Sequence, residues 1–234
     1  MAKRSEPTGR RTAVPFDPYL FERLAAGGQT HTLDETFRRI YEDNHWGAEQ
    51  RSGAGASRGQ TAMVLSELTA LLRELHINVL LDVPCGDFSW MQHLAAHEVS
   101  YIGGDIVSSV IEINNAHFGS SSRTFQVLDL TRDPLPAADL LLCRDCLVHL
   151  SFGDALAALA NVARAPIKYF LTTTFPDCSR NDDIVTGDWR VTNLAVPPFN
   201  LPPPLRLICE QCSEANGLFA DKSLALYRVE DLPR

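Results

Sequence analysis

The chain has 234 residues, of which 45% are hydrophobic and 21% charged, with a net charge of -8 and a pI near 5.3. That length holds one well-buried α/β domain with a small appendage, and the composition is that of an ordinary globular protein. The acidic balance argues against a nucleic-acid or anionic-membrane partner, and no apolar run approaches the roughly 20 residues of a membrane span.

The first residues, with Lys3, Arg4, Arg10 and Arg11 among Ser, Thr, Pro and Gly, lack the apolar core of a signal peptide. Residues 1–15 are expected to be a disordered leader and the compartment the cytoplasm. Residues 16–76 read as a helical cap. Phe16-Asp17-Pro18-Tyr19 starts one helix, Gly27-Gly28 breaks it, and Leu33 to Tyr41 forms a second. After a small-residue loop around 52–57, the stripe Val64, Leu65, Leu68, Leu71, Leu72 and Leu75 predicts a third helix over 61–76.

From residue 77 to 234 strands and helices alternate. Strands are predicted at 79–83, 100–105, 124–129, 139–143 and 169–174, and helices at 89–97, 108–118 and 152–163. Such alternation implies a mostly parallel sheet covered by helices on both faces. Two last strands, 205–212 and 223–229, have no helix between them and should form an antiparallel hairpin. The long polar and Pro-rich connection 175–204 is expected to be a lid or substrate loop.

Two strands end on acids. Val79 to Asp82 runs into the tight turn Val83-Pro84-Cys85-Gly86-Asp87-Phe88, and the second strand closes on Asp105. A carboxylate at the end of a buried strand is costly unless hydrogen-bonded, and ribose hydroxyls are suitable donors for Asp105. The turn has one glycine where a dinucleotide site wants three. Asp87, expected to cap the following helix, would repel a phosphate there. Acids at both strand ends suit a ligand with a ribose and a cationic end but no phosphate, a make-up S-adenosylmethionine has.

The stretches Asp82-Val83-Pro84-Cys85-Gly86-Asp87-Phe88, Tyr101-Ile102-Gly103-Gly104-Asp105-Ile106 and Leu142-Cys143-Arg144-Asp145-Cys146-Leu147-Val148-His149-Leu150 carry a resemblance in order and spacing. Together they resemble the class I S-adenosylmethionine-dependent methyltransferases, closest to a bacterial subgroup with a D-x-P-C-G-D-F first motif. The likeness runs from about Trp46 to the C-terminus. It departs at the first motif, which keeps only Gly86 of the usual glycines. The resemblance implies a Rossmann-like, seven-stranded, mostly parallel sheet with a final antiparallel hairpin.

For the cofactor, the expected residues are Asp82, Asp87 and Arg58 for the methionine end. Pro84, Cys85, Gly86 and Phe88 belong to the turn that cradles it. Asp105 and Ile106 are placed at the ribose and adenine, Asp129 and Leu130 at the adenine amino group, and Cys143 at the end of the fourth strand. Beside the methyl group, His149 or Asp145 is the expected base and Arg144 an orienting cation. Trp46, Arg190 and Asn193 are substrate-side candidates, the last two within Gly187-Asp188-Trp189-Arg190-Val191-Thr192-Asn193-Leu194. Residues 52–57, Ser52 among them, would face the same pocket if the cap folds over the sheet. Lys222 could approach the site or cap the hairpin and is read as structural, and Trp90 is read as core packing.

The expected reaction is methyl transfer to an O or N atom of a small polar acceptor, anionic or sugar-like on the strength of the Arg-bearing loop. The alternatives are a protein or RNA methyltransferase, a non-catalytic binder of the cofactor, and an NAD-dependent oxidoreductase, which the missing glycines disfavour. The oligomeric state is left as monomer or homodimer. No metal is expected. Cys143-x-x-Cys146 and Cys209-x-x-Cys212 have zinc-like spacing, but residues three apart on a strand face opposite sides.

Overall fold

The computed structural model describes residues 13–47 and 51–233; most of the expected leader lies outside them. Helices α1 (Leu20–Ala26), α2 (Leu33–Glu42) and α3 (Arg58–Glu74) precede the sheet. The start of α2 is set by a reciprocal cap, in which Thr32 Oγ1 accepts from Glu35 N–H and Glu35 accepts from Thr32 N–H. The stripe predicted for α3 is buried at Val64, Leu68, Leu71 and Leu72.

The sheet contains β1 (Val79–Asp82), β2 (Ser100–Asp105), β3 (Arg123–Val127), β4 (Ala138–Cys143), β5 (Ile167–Thr174), β6 (Arg206–Cys209) and β7 (Ser223–Arg228). Their order is β3-β2-β1-β4-β5-β7-β6. The first five are parallel, and β7 runs antiparallel to both β5 and β6. The expected sheet and terminal hairpin are therefore present. Central strands read as unbroken apolar runs because both of their faces are covered: Leu80, Leu81, Leu140, Leu141 and Leu142 are fully buried. On one face they meet α3 and Ile111 of helix α4 (Ser108–Phe118). On the other they meet helix α5 (Phe152–Val162).

One expectation changes. No α-helix forms over 89–97, where only the short 3-10 turn Met91–His93 is helical. Phe88 sits at φ +59° and is buried among Tyr101, Phe118 and Phe125. The Asp87 carboxylate closes a local turn by accepting from Ser89 N–H rather than capping a helix. Burying Phe88 and Met91 together holds the chain out of a helical path.

The 175–204 connection, expected to be a lid or substrate loop, is largely coil. Leu194, Phe199 and Leu201 are buried in the core shared with α5, and Phe199 meets Phe152 edge-on at 5.7 Å. Asn181 and Asn193 stitch it internally: Asn193 Nδ2 donates to the carbonyls of Pro176 and Cys178, and Asn181 Nδ2 to those of Asn193 and Pro197. The segment thus packs beside α5, and several of its backbone carbonyls are paired by these two amides.

Candidate functional site

The strand order reverses between β1 and β4: β2 lies on one side of β1, while β4 lies on the other. A crevice opens at the carboxyl ends of strands at such a point. Here it is a cavity of about 150 Å³. The sheet supplies Asp82 from β1, Asp105 from β2 and Arg144, Asp145 and His149 after β4, and the cap roofs it with Phe37, Tyr41 and Trp46.

Asp105 is buried, and its two oxygens accept from Gly86 N–H at 3.1 Å and Val107 N–H at 3.0 Å. Burial outweighs these bonds and pushes its pKa up to about 6. A carboxylate has about four lone-pair sites, so acceptor capacity remains. Gly86 is at φ +55°, and a Cβ there would come within 2.5 Å of Ser52 Oγ, which accepts from Asp87 N–H. Asp82 accepts from Tyr101 Oη at 2.6 Å. Its burial raises its pKa to about 7, the tyrosine bond opposing. Ile106, Val107, Leu128 and Leu130 give the crevice an apolar flank.

Beyond β4 the charges interlock. Arg144 donates to Glu210 at 2.7 Å, and Lys222 Nζ donates to Asp145 at 2.7 Å; Arg144 also lies 3.3 Å from Asp145. Burial alone would raise the Asp145 pKa, but Lys222 and Arg144 outweigh it and hold it at about 2. His149 is buried, with Nδ1 3.0 Å from the carbonyl oxygen of Asp188. A carbonyl only accepts, so Nδ1 carries the hydrogen and Nε2 keeps its lone pair. Burial lowers the His149 pKa to about 4, which leaves the ring neutral at pH 7. Trp46 lies against it, ring centres 4.7 Å apart.

Of the residues singled out from sequence, Trp46, Asp82, Pro84, Cys85, Gly86, Asp105, Ile106, Leu130, Arg144, Asp145 and His149 come together on this cavity. Seven do not line it. Asp87 turns to Ser89, and Phe88 belongs to the aromatic core. Asp129 bonds Thr131 and pairs with Arg132, as a turn cap would. Cys143 is wholly buried within β4, and Arg58 is exposed at the start of α3. Asn193 is spent on backbone carbonyls. Arg190 donates to the Leu150 carbonyl and stacks on Phe152 at 4.9 Å. The charge that suggested an anionic acceptor is therefore turned away from the cavity.

Sequence reasoning missed Tyr41 and Arg51 on the wall and the ion partner Glu210, and it left Trp90 and Lys222 as structural residues, whereas Ser52 of the small-residue loop faces the cavity as expected. Trp90, read as packing, lines the cavity with the Arg144 guanidinium 5.3 Å from its ring. The one available signal was a lysine placed directly before the apolar strand β7. Among the described residues no group of three or more His, Cys, Asp or Glu is arranged to hold a metal ion, and no helix is long and apolar enough to cross a membrane.

No protein-family model matches the sequence, and no curated relative does either. Solved structures do match. "PigF with SAH" superposes with a TM-score of 0.58 at 13% identity, over 88% of this chain and 65% of that one. Human N-acetylserotonin methyltransferase in complex with SAM gives 0.57 at 16% identity, over 88% and 61%. The N-methyltransferase NodS from Bradyrhizobium japonicum gives 0.51 at 15%, over 72% and 96%. The chain thus spans less than two thirds of the length of the first two. The similarity at these identities is one of fold, and that fold is the class I methyltransferase fold.

Proposed function

We propose that the chain transfers a methyl group from S-adenosylmethionine to an O or N atom of a small acceptor. The observation that carries this is Asp105, a buried carboxylate closing β2 on the wall of the switch-point cavity, with lone pairs left for ribose hydroxyls. Asp82 and Asp105 give that end of the crevice the negative character a sulfonium and an ammonium want, and the apolar flank suits a purine. A dinucleotide fits less well. No α-helix begins after β1, so a pyrophosphate would find no helix N-terminus to sit on.

When bound, the cofactor would supply an electrophilic methyl group on a cationic sulfur. The chain's share is to hold acceptor and methyl carbon in line and to receive the acceptor's proton. His149 is better suited than Asp145 to that last task. Its Nε2 lone pair is free, whereas Asp145 is committed to Lys222 and held too acidic to take a proton. Asp145 instead stabilises the imidazolium formed.

Calorimetric titration with S-adenosylhomocysteine, with NAD in parallel, tests this reading. Micromolar binding of S-adenosylhomocysteine alone is expected, weakened roughly 10- to 100-fold in Asp105→Ala. Binding of NAD instead, or of neither, would overturn it.

A further inference from the structure

Beside the cofactor cavity lies a second one, of about 620 Å³, which shares Trp46, Ser52, Asp145 and His149 with the first as a common wall. Its remaining lining is mostly apolar and carries four aromatic residues. Phe16 comes from the chain before α1, Phe175 and Trp189 from the packed coil, and Phe219 from the connection between β6 and β7. Phe175, Trp189 and Phe219 brace one another edge-to-face, with ring centres 5.1 to 6.4 Å apart. Its polar groups are Ser52, His149 and Asp145 on the shared wall, Lys222 paired to Asp145, and Glu214 beside Ala215. The indole N–H of Trp46, on that same wall, is buried and has no hydrogen-bond acceptor.

We propose that this second cavity is the acceptor site, and that it takes a planar aromatic ring bearing a hydroxyl group, a phenol or hydroxylated heteroaromatic. The proposal rests on the methyl-donor reading of the first cavity and names the acceptor class for it. Four rings around one chamber offer faces and edges that a flat π-system fills better than a sugar, whose many hydroxyls would find few partners. Asp145 and Lys222 neutralise each other, so the shared wall presents no free cation for an anionic acceptor.

Proton chemistry agrees. His149 is a weak base in its buried setting, which matches a phenol, with pKa about 10 as in tyrosine, and not an aliphatic alcohol. In the transfer the bond formed joins acceptor oxygen to methyl carbon. The bond broken joins that carbon to sulfur, whose electron pair stays on sulfur, and the hydroxyl proton passes to His149 Nε2.

The test is calorimetric titration of the full chain, saturated with S-adenosylhomocysteine, with 2-naphthol, its saturated counterpart 2-decalol, and methyl glucoside. Naphthol should bind saturably and roughly tenfold or more tighter than decalol, with no measurable glucoside binding. Phe16→Ala removes one ring and should weaken naphthol roughly two- to tenfold. Ala54→Leu, at another lining position, narrows the chamber and should weaken it too. Both variants should keep wild-type affinity for S-adenosylhomocysteine, which shows that they are folded. Naphthol binding no tighter than decalol, or untouched by both variants, overturns the acceptor assignment while leaving the donor reading in place. Loss of S-adenosylhomocysteine binding in the wild type overturns the donor reading itself, and the acceptor role falls with it.

Discussion

Asp105 carries its own pH signature. Ribose hydroxyls donate to the ionised carboxylate, so ligand binding favours the deprotonated form and pulls its pKa down from about 6. With Asp82 at about 7 on the same wall, affinity for S-adenosylhomocysteine should therefore fall as pH drops through 7 and then 6, as first Asp82 and then Asp105 takes up a proton. Calorimetry from pH 5 to 8 measures this, and Asp105→Asn should give a weaker but flatter profile. His149 makes a separate prediction. With Nδ1 held by the Asp188 carbonyl and Nε2 open, His149→Asn should lower kcat by roughly 10²- to 10⁴-fold. The Kd for S-adenosylhomocysteine should barely move, because the residue serves the acceptor proton. An equal loss in both quantities would mean that His149 merely packs against Trp46.

At the level of elements, the buried ion cluster is a joint. Arg144 and Asp145 follow β4, Glu210 follows β6, and Lys222 precedes β7, so the four charges tie the terminal hairpin to the carboxyl edge of the parallel sheet. Removing one member strands the others. Glu210→Gln leaves Arg144 buried with only Asp145 as a counter-charge and should cost about 3 kcal/mol in urea unfolding. The same joint explains why Asp145 is a poor base. Elements also mark where local pattern and structure part. The stretch after Phe88 has helix-compatible residues, yet the aromatic cluster around Phe88 and the Asp87 turn override them. The polar, Pro-rich stretch 175–204, read as a lid or substrate loop, also supplies Leu194, Phe199 and Leu201 as apolar contacts to the core.

For the molecule as a whole, the binding crevice runs between cap and sheet, so ligand should hold the two together. S-adenosylhomocysteine at about 100 times its Kd should stabilise the native state by about 2.7 kcal/mol. For a chain of this size that is a rise in Tm of about 5–10 °C, read by differential scanning fluorimetry. Asp105→Ala should show a smaller rise at the same ligand concentration, and NAD none.

The sheet was legible because its signals are local. Unbroken apolar runs at Val79 to Leu81 and Leu140 to Leu142 are what strands buried on both faces require. An acid closing each of β1 and β2 marks the end where a ligand can reach the backbone. Asp82, Gly86, Asp105 and His149 reach the cavity for that reason, each lying at or just beyond a strand's carboxyl end. What the sequence could not carry is who meets whom across distance. Glu210 and Lys222 stand 66 and 77 residues from Arg144 and Asp145, and nothing local announces the pairing. Asn193 carries polar groups fit for a ligand, but the packed coil spends them on carbonyls of its own fold, and Arg190 is turned to the Leu150 carbonyl and the Phe152 ring. The aromatic chamber is likewise assembled from Phe16, Trp46, Phe175, Trp189 and Phe219. Such convergence comes from the packing of the cap and hairpin against the sheet, and only the tertiary structure decides it.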